Sequence, residues 1–271
     1  MSQNKPIIQI QGVEKSFILP NETVNAVKNC SFEIPEGSFT IIYGPSGSGK
    51  STLLDAITGL ELPTKGNVIF KGQNLNTLNA DKRAKFRALN LGMVYQTNYW
   101  VSSLTVLDNV CMPLYLSGFT QGDARPHAIE ALKKVRVEHL AKQRPGVLST
   151  GEQQRVSMAR ALISNPEVIV ADEPTGNLDT SNGDTVMSLL ATLNKEFGKT
   201  IVLVTHNLEY LPFSTYRIQM KDGVATISEG ATGLSTETKQ KLSQLLHDNS
   251  MRTPSAPIVT PDKPPRKVRI Q

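Results

Sequence analysis

Cysteine is nearly missing from this chain of 271 residues, with Cys30 and Cys111 as its two thiols. Each lies in an apolar or mixed segment without metal-ligand spacing. That excludes a disulfide framework and a thiolate metal centre, and leaves two reduced thiols packed as small hydrophobes. Long apolar runs are missing too, since none approaches the roughly eighteen residues that crossing a bilayer takes. Residues 1–6 lead directly into a strand-like segment rather than a signal-peptide core, so a cytoplasmic protein is expected. Nor is there a compositional bias toward disorder. Hydrophobic residues make up 39% and charged residues 20%, ordinary values for a globular protein with a substantial core.

The formal net charge is +5, which hints at nucleic acid until it is located. Arg252, Lys263, Arg266, Lys267 and Arg269 face one acid, Asp262, so the tail carries nearly all of the excess. The rest of the chain is close to neutral, and no nucleic-acid partner is expected.

What the chain does contain is a glycine-rich turn between a strand and a helix. Residues 39–43 are β-prone and stop at Gly44, and helical apolar spacing begins after Ser51 with Thr52. Gly44, Pro45, Ser46, Gly47, Ser48, Gly49, Lys50 and Ser51 satisfy the pattern G-x-x-x-x-G-K-[ST]. In that setting successive backbone N–H groups can wrap phosphates above a helix N-terminus. Lys50 can reach the β- and γ-phosphates, and Ser51 can offer its hydroxyl to Mg²⁺ bridging them. The bland alternative is a glycine-rich turn that binds nothing.

Before this loop, strands are expected over 7–13 and 24–34, forming an antiparallel sheet beside the main one. Phe17 falls just after the first of them. By itself it reads as core, although an aromatic there could stack on adenine. Beyond the first helix come a short strand over 67–70, a polar helix over 79–89 and a buried strand over 91–95 that ends at Gln96. A polar residue at that end of a strand can touch a ligand in an open α/β sheet. Helices over 104–116, 124–135, 137–143 and 152–163 then delay the next strand, which predicts a helical subdomain over about 97–164. Tyr99 and Trp100 suit either a partner surface or that subdomain's own core.

Three later positions carry chemistry. Ser149, Thr150, Gly151 and Glu152 open a helix with capping residues and a glycine, a second N-terminus suited to an anion. A buried strand over 167–171 ends in Asp172 and Glu173. Successive strand side chains point oppositely, so one carboxylate can face a metal's water shell and its neighbour an attacking water. A loop containing Asp179 follows, then a helix over 181–196 and a strand over 200–204 that ends at Thr205 and His206. A β-hairpin over 216–227 turns at Lys221, Asp222 and Gly223. Residues 236–248 suit a short amphipathic helix, and 250–271 a proline-rich basic disordered tail.

In this order the motifs resemble the ATP-binding subunit of an ABC transporter, more narrowly the lipoprotein-release, macrolide-export and cell-division group. The resemblance covers about 7–228. It implies a P-loop α/β core with a mainly parallel sheet, an antiparallel β subdomain and an inserted helical subdomain. It also implies two subunits sandwiching two ATP molecules head to tail, as a homodimer or a paired subunit, and coupled to a separate integral-membrane permease-like protein at the inner face of the cell membrane. Phe17 is thereby assigned to adenine, Ser51 and Gln96 to Mg²⁺, and Asp172 to the metal's water shell. Glu173 is assigned to the attacking water and His206 to the γ-phosphate. The alternative within the same resemblance is a cell-division-type regulator that gates an envelope process and moves no solute.

Three departures stand out. Phe17 replaces the family's usual tyrosine. The signature, usually Leu-Ser-Gly-Gly-Gln, reads Leu148, Ser149, Thr150, Gly151 and Glu152. Thr150 adds a β-branched side chain and Glu152 a negative charge where phosphates are expected, so slower or partner-dependent hydrolysis follows. The basic tail lies outside the resemblance and suits contact with an anionic membrane surface or an acidic partner, the alternative being a solvated disordered end.

Overall fold

The computed structural model describes residues 5–229. The expected helix over 236–248 and the tail lie outside them.

Two sheets share the load. The smaller is antiparallel, ordered β2-β1-β4-β5, from β1 (Pro6–Ile18), β2 (Thr23–Pro35), β4 (Lys65–Phe70) and β5 (Gln73–Asn74). β1 runs beyond the expected 7–13 because a bulge near Gly12, at φ 57°, lets pairing with β2 resume and carry on to Ile18. Phe17 is therefore inside the strand rather than after it.

The larger sheet is ordered β10-β9-β3-β8-β7-β6. Its members are β3 (Phe39–Tyr43), β6 (Leu91–Val94), β7 (Val168–Asp172), β8 (Thr200–Thr205), β9 (Tyr216–Lys221) and β10 (Val224–Glu229). β3, β6, β7, β8 and β9 pair in parallel, and β10 closes the edge as an antiparallel hairpin with β9. The central strands are apolar on both faces, as a parallel sheet covered on both sides requires. Ile41, Ile169, Ala171, Ile201 and Leu203 enter one core, whereas Ile42, Val168, Val170, Val202 and Val204 enter the other. Side-chain alternation thus splits each strand between two layers.

The second core is completed by the antiparallel sheet and by α1 (Lys50–Ile57). The first holds the helices α3 (Val106–Leu116), α4 (Gln121–Lys134), α5 (Thr150–Leu162) and α6 (Thr180–Lys195), with α2 (Ala80–Asn90) elsewhere and carrying no buried residue. Each of these five helices starts at a capping side chain: Asn79, Thr105, Thr120, Ser149 and Asp179 accept from backbone N–H groups of the first turn. The helix expected over 137–143 is a single 3₁₀ turn, Glu138–Leu140. Val137, Leu140 and Ala141 are buried there, but the Ala141 and Gln143 carbonyls accept from the Leu107 and Val106 N–H groups at the start of α3 (3.0 and 2.8 Å) rather than from a continuing helix. α5 lies hard against β6: a Cβ on Gly92 would come 2.4 Å from the Ala161 carbonyl oxygen.

Candidate active site: a phosphate cleft and a separate helix N-terminus

Register aligns the functional strand ends. Tyr43 pairs with Thr205, Asp172 with Val204, and Val94 with Ala171. The phosphate loop, Gln96, Glu173 and His206 therefore leave the sheet at one carboxyl edge, where open α/β sheets bind ligands. Ser46, Gly47, Gly49, Lys50, Ser51 and Thr52 line a cleft of 590 Å³ there, and Gln96, Glu173 and His206 line it too.

The loop's glycines answer to neighbours far away in sequence. A Cβ on Gly44 would stand 2.0 Å from the Met220 carbonyl oxygen, and one on Gly49 2.1 Å from that of Ala26. Both also hold positive φ, 154° and 96°. The Gly223 N–H donates to the Ser48 carbonyl (3.1 Å), and the Lys28 N–H to that of Gly223 (2.8 Å). The loop is thus held between β2 and the β9–β10 turn. Lys50 is 8% exposed, and its ammonium donates to the Gly44 and Pro45 carbonyls at 3.0 and 2.9 Å. α1 begins at Gly49 with no side-chain cap and no acid in its first turn. Its N–H groups and dipole stay available to an anion.

Across the cleft, His206 Nδ1 lies 2.8 Å from Glu173 Oε2. Glu173 sits at φ 46°, a left-handed conformation uncommon outside glycine. Backbone bonds hold it there, its N–H to the Val204 carbonyl (2.9 Å) and its carbonyl to the Gly176 N–H (3.0 Å). The turn aims the Glu173 carboxylate into the cleft while Asp172 stays behind it. Burial pushes the Asp172 carboxyl up, and the Glu173 charge adds to this, while the Ser51 hydroxyl and Lys50 act in the opposite direction. Asp172 Oδ1 is buried without a hydrogen-bond partner. An orphan carboxylate oxygen beside a serine hydroxyl is the hard-oxygen donor set that Mg²⁺ takes, so the residues fit that ion.

The remaining expected residues lie elsewhere. Phe17 is 40% exposed rather than core, with the Lys15 ammonium 5.2 Å from its ring centroid. It does not line the cleft, although Val24, paired with it across β1 and β2, does. Ser149, Gly151 and Glu152 are also outside the cleft. Glu152 turns back on its own helix, its Oε2 accepting from the Ser149 N–H (2.9 Å) and hydroxyl (2.7 Å), a full capping box. Those two bonds hold its carboxyl below the usual glutamate range. The Gly151 backbone is covered by Asn182: a Cβ there would meet its Oδ1 at 2.4 Å. Asp179, which caps α6, binds that same Asn182 side chain at 2.8 Å. The two loops therefore form one surface, separate from the cleft within the chain. Tyr99 and Trp100 divide their two readings. Tyr99 is 70% exposed, whereas Trp100 packs on the first core and donates to Gln153 at 2.9 Å.

Asn25, Ala26, Lys28 and Asp222 line the cleft as well, and sequence reading missed them. No local pattern marks them, because only pairing between distant strands brings them to the loop.

Fold and cleft define a P-loop nucleotide-binding α/β cassette. The ABC transporter family profile matches residues 27–176, more than half of the chain, and the chain belongs to that family. It is similar to the ATP-binding cassette MJ0796, solved as a dimer in a post-hydrolysis state with ADP and Pi. That match has 38% identity and a TM-score of 0.78, covering 83% of this chain and 100% of that one. A second dimeric structure of MJ0796, described as a bacterial ABC transporter cassette, matches at 39% identity and a TM-score of 0.78, with the same coverage. CbiO1 from Clostridium perfringens, part of the ABC transporter complex CbiONQ, matches at 26% identity and a TM-score of 0.73, covering 89% of this chain and 94% of that one. The chain is thus an ABC ATPase cassette. Among the described residues no helix is long and apolar enough to cross a membrane.

Proposed function

We propose that this chain is the ATP-hydrolysing subunit of an ABC transporter of the lipoprotein-release, macrolide-export and cell-division type, pairing head to tail around ATP and driving a separate membrane subunit. The observation that carries the reading is the Glu173–His206 pair at 2.8 Å, facing Lys50 across one cleft. In it the phosphate loop and α1 hold the triphosphate, with Lys50 leaving the Gly44 and Pro45 carbonyls for the β- and γ-oxygens. Ser51, Gln96 and Asp172 would hold Mg²⁺, which when bound would offset phosphate charge. Glu173 accepts the proton of the attacking water, and His206 fixes Glu173 and meets the γ-phosphate. Phe17, paired across β1 and β2 with the cleft-lining Val24, is the residue assigned to adenine, just outside the cleft itself.

Ser149 and Gly151 belong to the other half of a partner's site. The capping box engages the Ser149 hydroxyl with Glu152, so it must be released to reach a phosphate. This supports slow or partner-dependent hydrolysis. The test is association of the Glu173→Gln chain, followed by light scattering. Dimers with ATP and monomers with ADP are expected, and a chain that hydrolyses ATP without ever pairing overturns the shared site. Purifying the native complex identifies the membrane subunit, and reconstitution with cargo separates transport from gating.

A further inference from the structure

A second cavity, of 140 Å³, lies between α4, α5 and α6, away from the cleft. Its polar lining is Lys134, Arg136, Arg155, Thr185, Ser188 and Thr192: three cations, three hydroxyls and no carboxylate. Arg136 is exposed and has contacts of its own, so the charge that an anion in this space would offset is that of Lys134 and Arg155, both half-buried.

The hydrogen bonds sharpen this. Thr185 and Thr192 spend their hydroxyl protons on the Ser181 and Ser188 carbonyls, at 3.0 and 2.9 Å. Ser188 is 2% exposed, and its hydroxyl has no partner. Arg155 Nε is likewise buried and unpartnered. Two buried donors thus border one basic cavity. Lys134 adds an ammonium that burial holds below the usual lysine range, with Glu130 acting against that. Two acids act on these cations from outside the lining: Glu130, paired with Lys133, on Lys134, and Glu152, bonded to Ser149, on Arg155.

We propose that this cavity binds a phosphate-class tetrahedral oxyanion, held by Arg155 and Ser188 with Lys134 supplying charge. Its volume equals about four or five water-sized volumes, whereas nucleotide-sized ligands need roughly 300 Å³ or more. A free oxyanion fits and a nucleotide does not. The ion would join α4 and α5, the helical insertion, to α6, which follows the loop containing Asp179, and so would set how firmly the insertion is fixed to the sheet. The site stands apart from the hydrolytic reading and survives if that reading fails.

The test is calorimetric titration of inorganic phosphate into the full chain, repeated in Lys50→Ala and with ADP saturating the first cleft. Binding that persists in both settings and weakens about tenfold or more in Ser188→Ala and in Arg155→Gln supports the site, that being the loss of one charge-assisted hydrogen bond. Melting curves show whether each variant is folded. Inorganic sulfate should compete. Absence of binding by the wild type, loss of binding in Lys50→Ala, or folded Ser188→Ala and Arg155→Gln variants that bind as the wild type does would each overturn it. If Arg155→Gln does not fold, Ser188→Ala and Lys134→Ala decide.

Discussion

α1 and α5 are two helix N-termini that meet the same electrostatic demand in opposite ways. α1 starts at a glycine, with no capping side chain and no acid in its first turn. α5 starts at Ser149 with a reciprocal capping box and Glu152 in its first turn. Both ends present orphan N–H groups and positive partial charge. At α5 the chain itself satisfies them; at α1 it leaves them to a ligand. An uncapped N-terminus next to a cleft is therefore the better sign of a phosphate site, since α2 to α6 are all capped by their own side chains.

The contrast breaks first at Glu173. Glu173→Gln should keep nucleotide binding while hydrolysis falls by about a hundredfold or more, the scale of a lost general base; normal turnover in a phosphate-release assay removes Glu173 from its role. Next comes Lys50→Ala, which should weaken ATP binding by about tenfold or more through loss of a charge-assisted contact. Fluorescence titration with labelled ATP would show it, and unchanged affinity would mean that the loop does not hold phosphates.

Acid should affect the two ends differently. The Asp172 carboxyl is raised by burial, so it takes up its proton above the ordinary aspartate range as pH falls, and Mg²⁺-dependent ATP binding should decline from there. Asp172→Asn should remove the Mg²⁺ dependence at every pH. The Glu152 carboxyl is depressed. Its support of the cap is fully present above the ordinary glutamate pKa and is lost only as pH falls through the lower folded value. Between those limits the cleft should fail while the α5 cap persists, which proton-exchange protection of the Ser149 amide can follow. The smallest effect is on stability. Ser149→Ala should cost about 1 kcal/mol in denaturant unfolding and leave ATP binding to a single chain unchanged. A large loss of that binding would place Ser149 in its own chain's cleft.

Much of this was readable from residue order because the signals are local. The phosphate loop has its strand, its glycines and its Lys50–Ser51 within one short stretch, and the Asp172–Glu173 pair ends a strand whose apolar residues demand burial. Ser149 and Glu152 stand at capping-box spacing. Three readings depended on distance. Phe17 by itself reads as core, because the bulge that extends β1 past Gly12 has no local signature. The helix over 137–143 has apolar residues in helical spacing, but bonds from Val106 and Leu107 at the start of α3 take the Gln143 and Ala141 carbonyls and leave one 3₁₀ turn. Tyr99 and Trp100 are adjacent and look alike as a pair, yet only Trp100 has Gln153 and the Arg160 guanidinium, 4.5 Å from its ring, to hold it inward.

By itself the sequence determined a P-loop α/β core, the loop that carries Lys50, the strand ends that lead to Gln96, Glu173 and His206, and the capped helix at Ser149. These are short-range facts of spacing, propensity and burial period. The tertiary structure decided which of them meet. Parallel register brought four strand ends to one edge, and close backbone contacts from Met220 and Ala26 explained Gly44 and Gly49. The same packing set Gly151 beside Asn182 and kept it and Ser149 outside the cleft. It also enclosed Lys134, Arg155 and Ser188 in a second cavity. No local pattern could give that, since a cavity is a property of packed surfaces far apart along the chain.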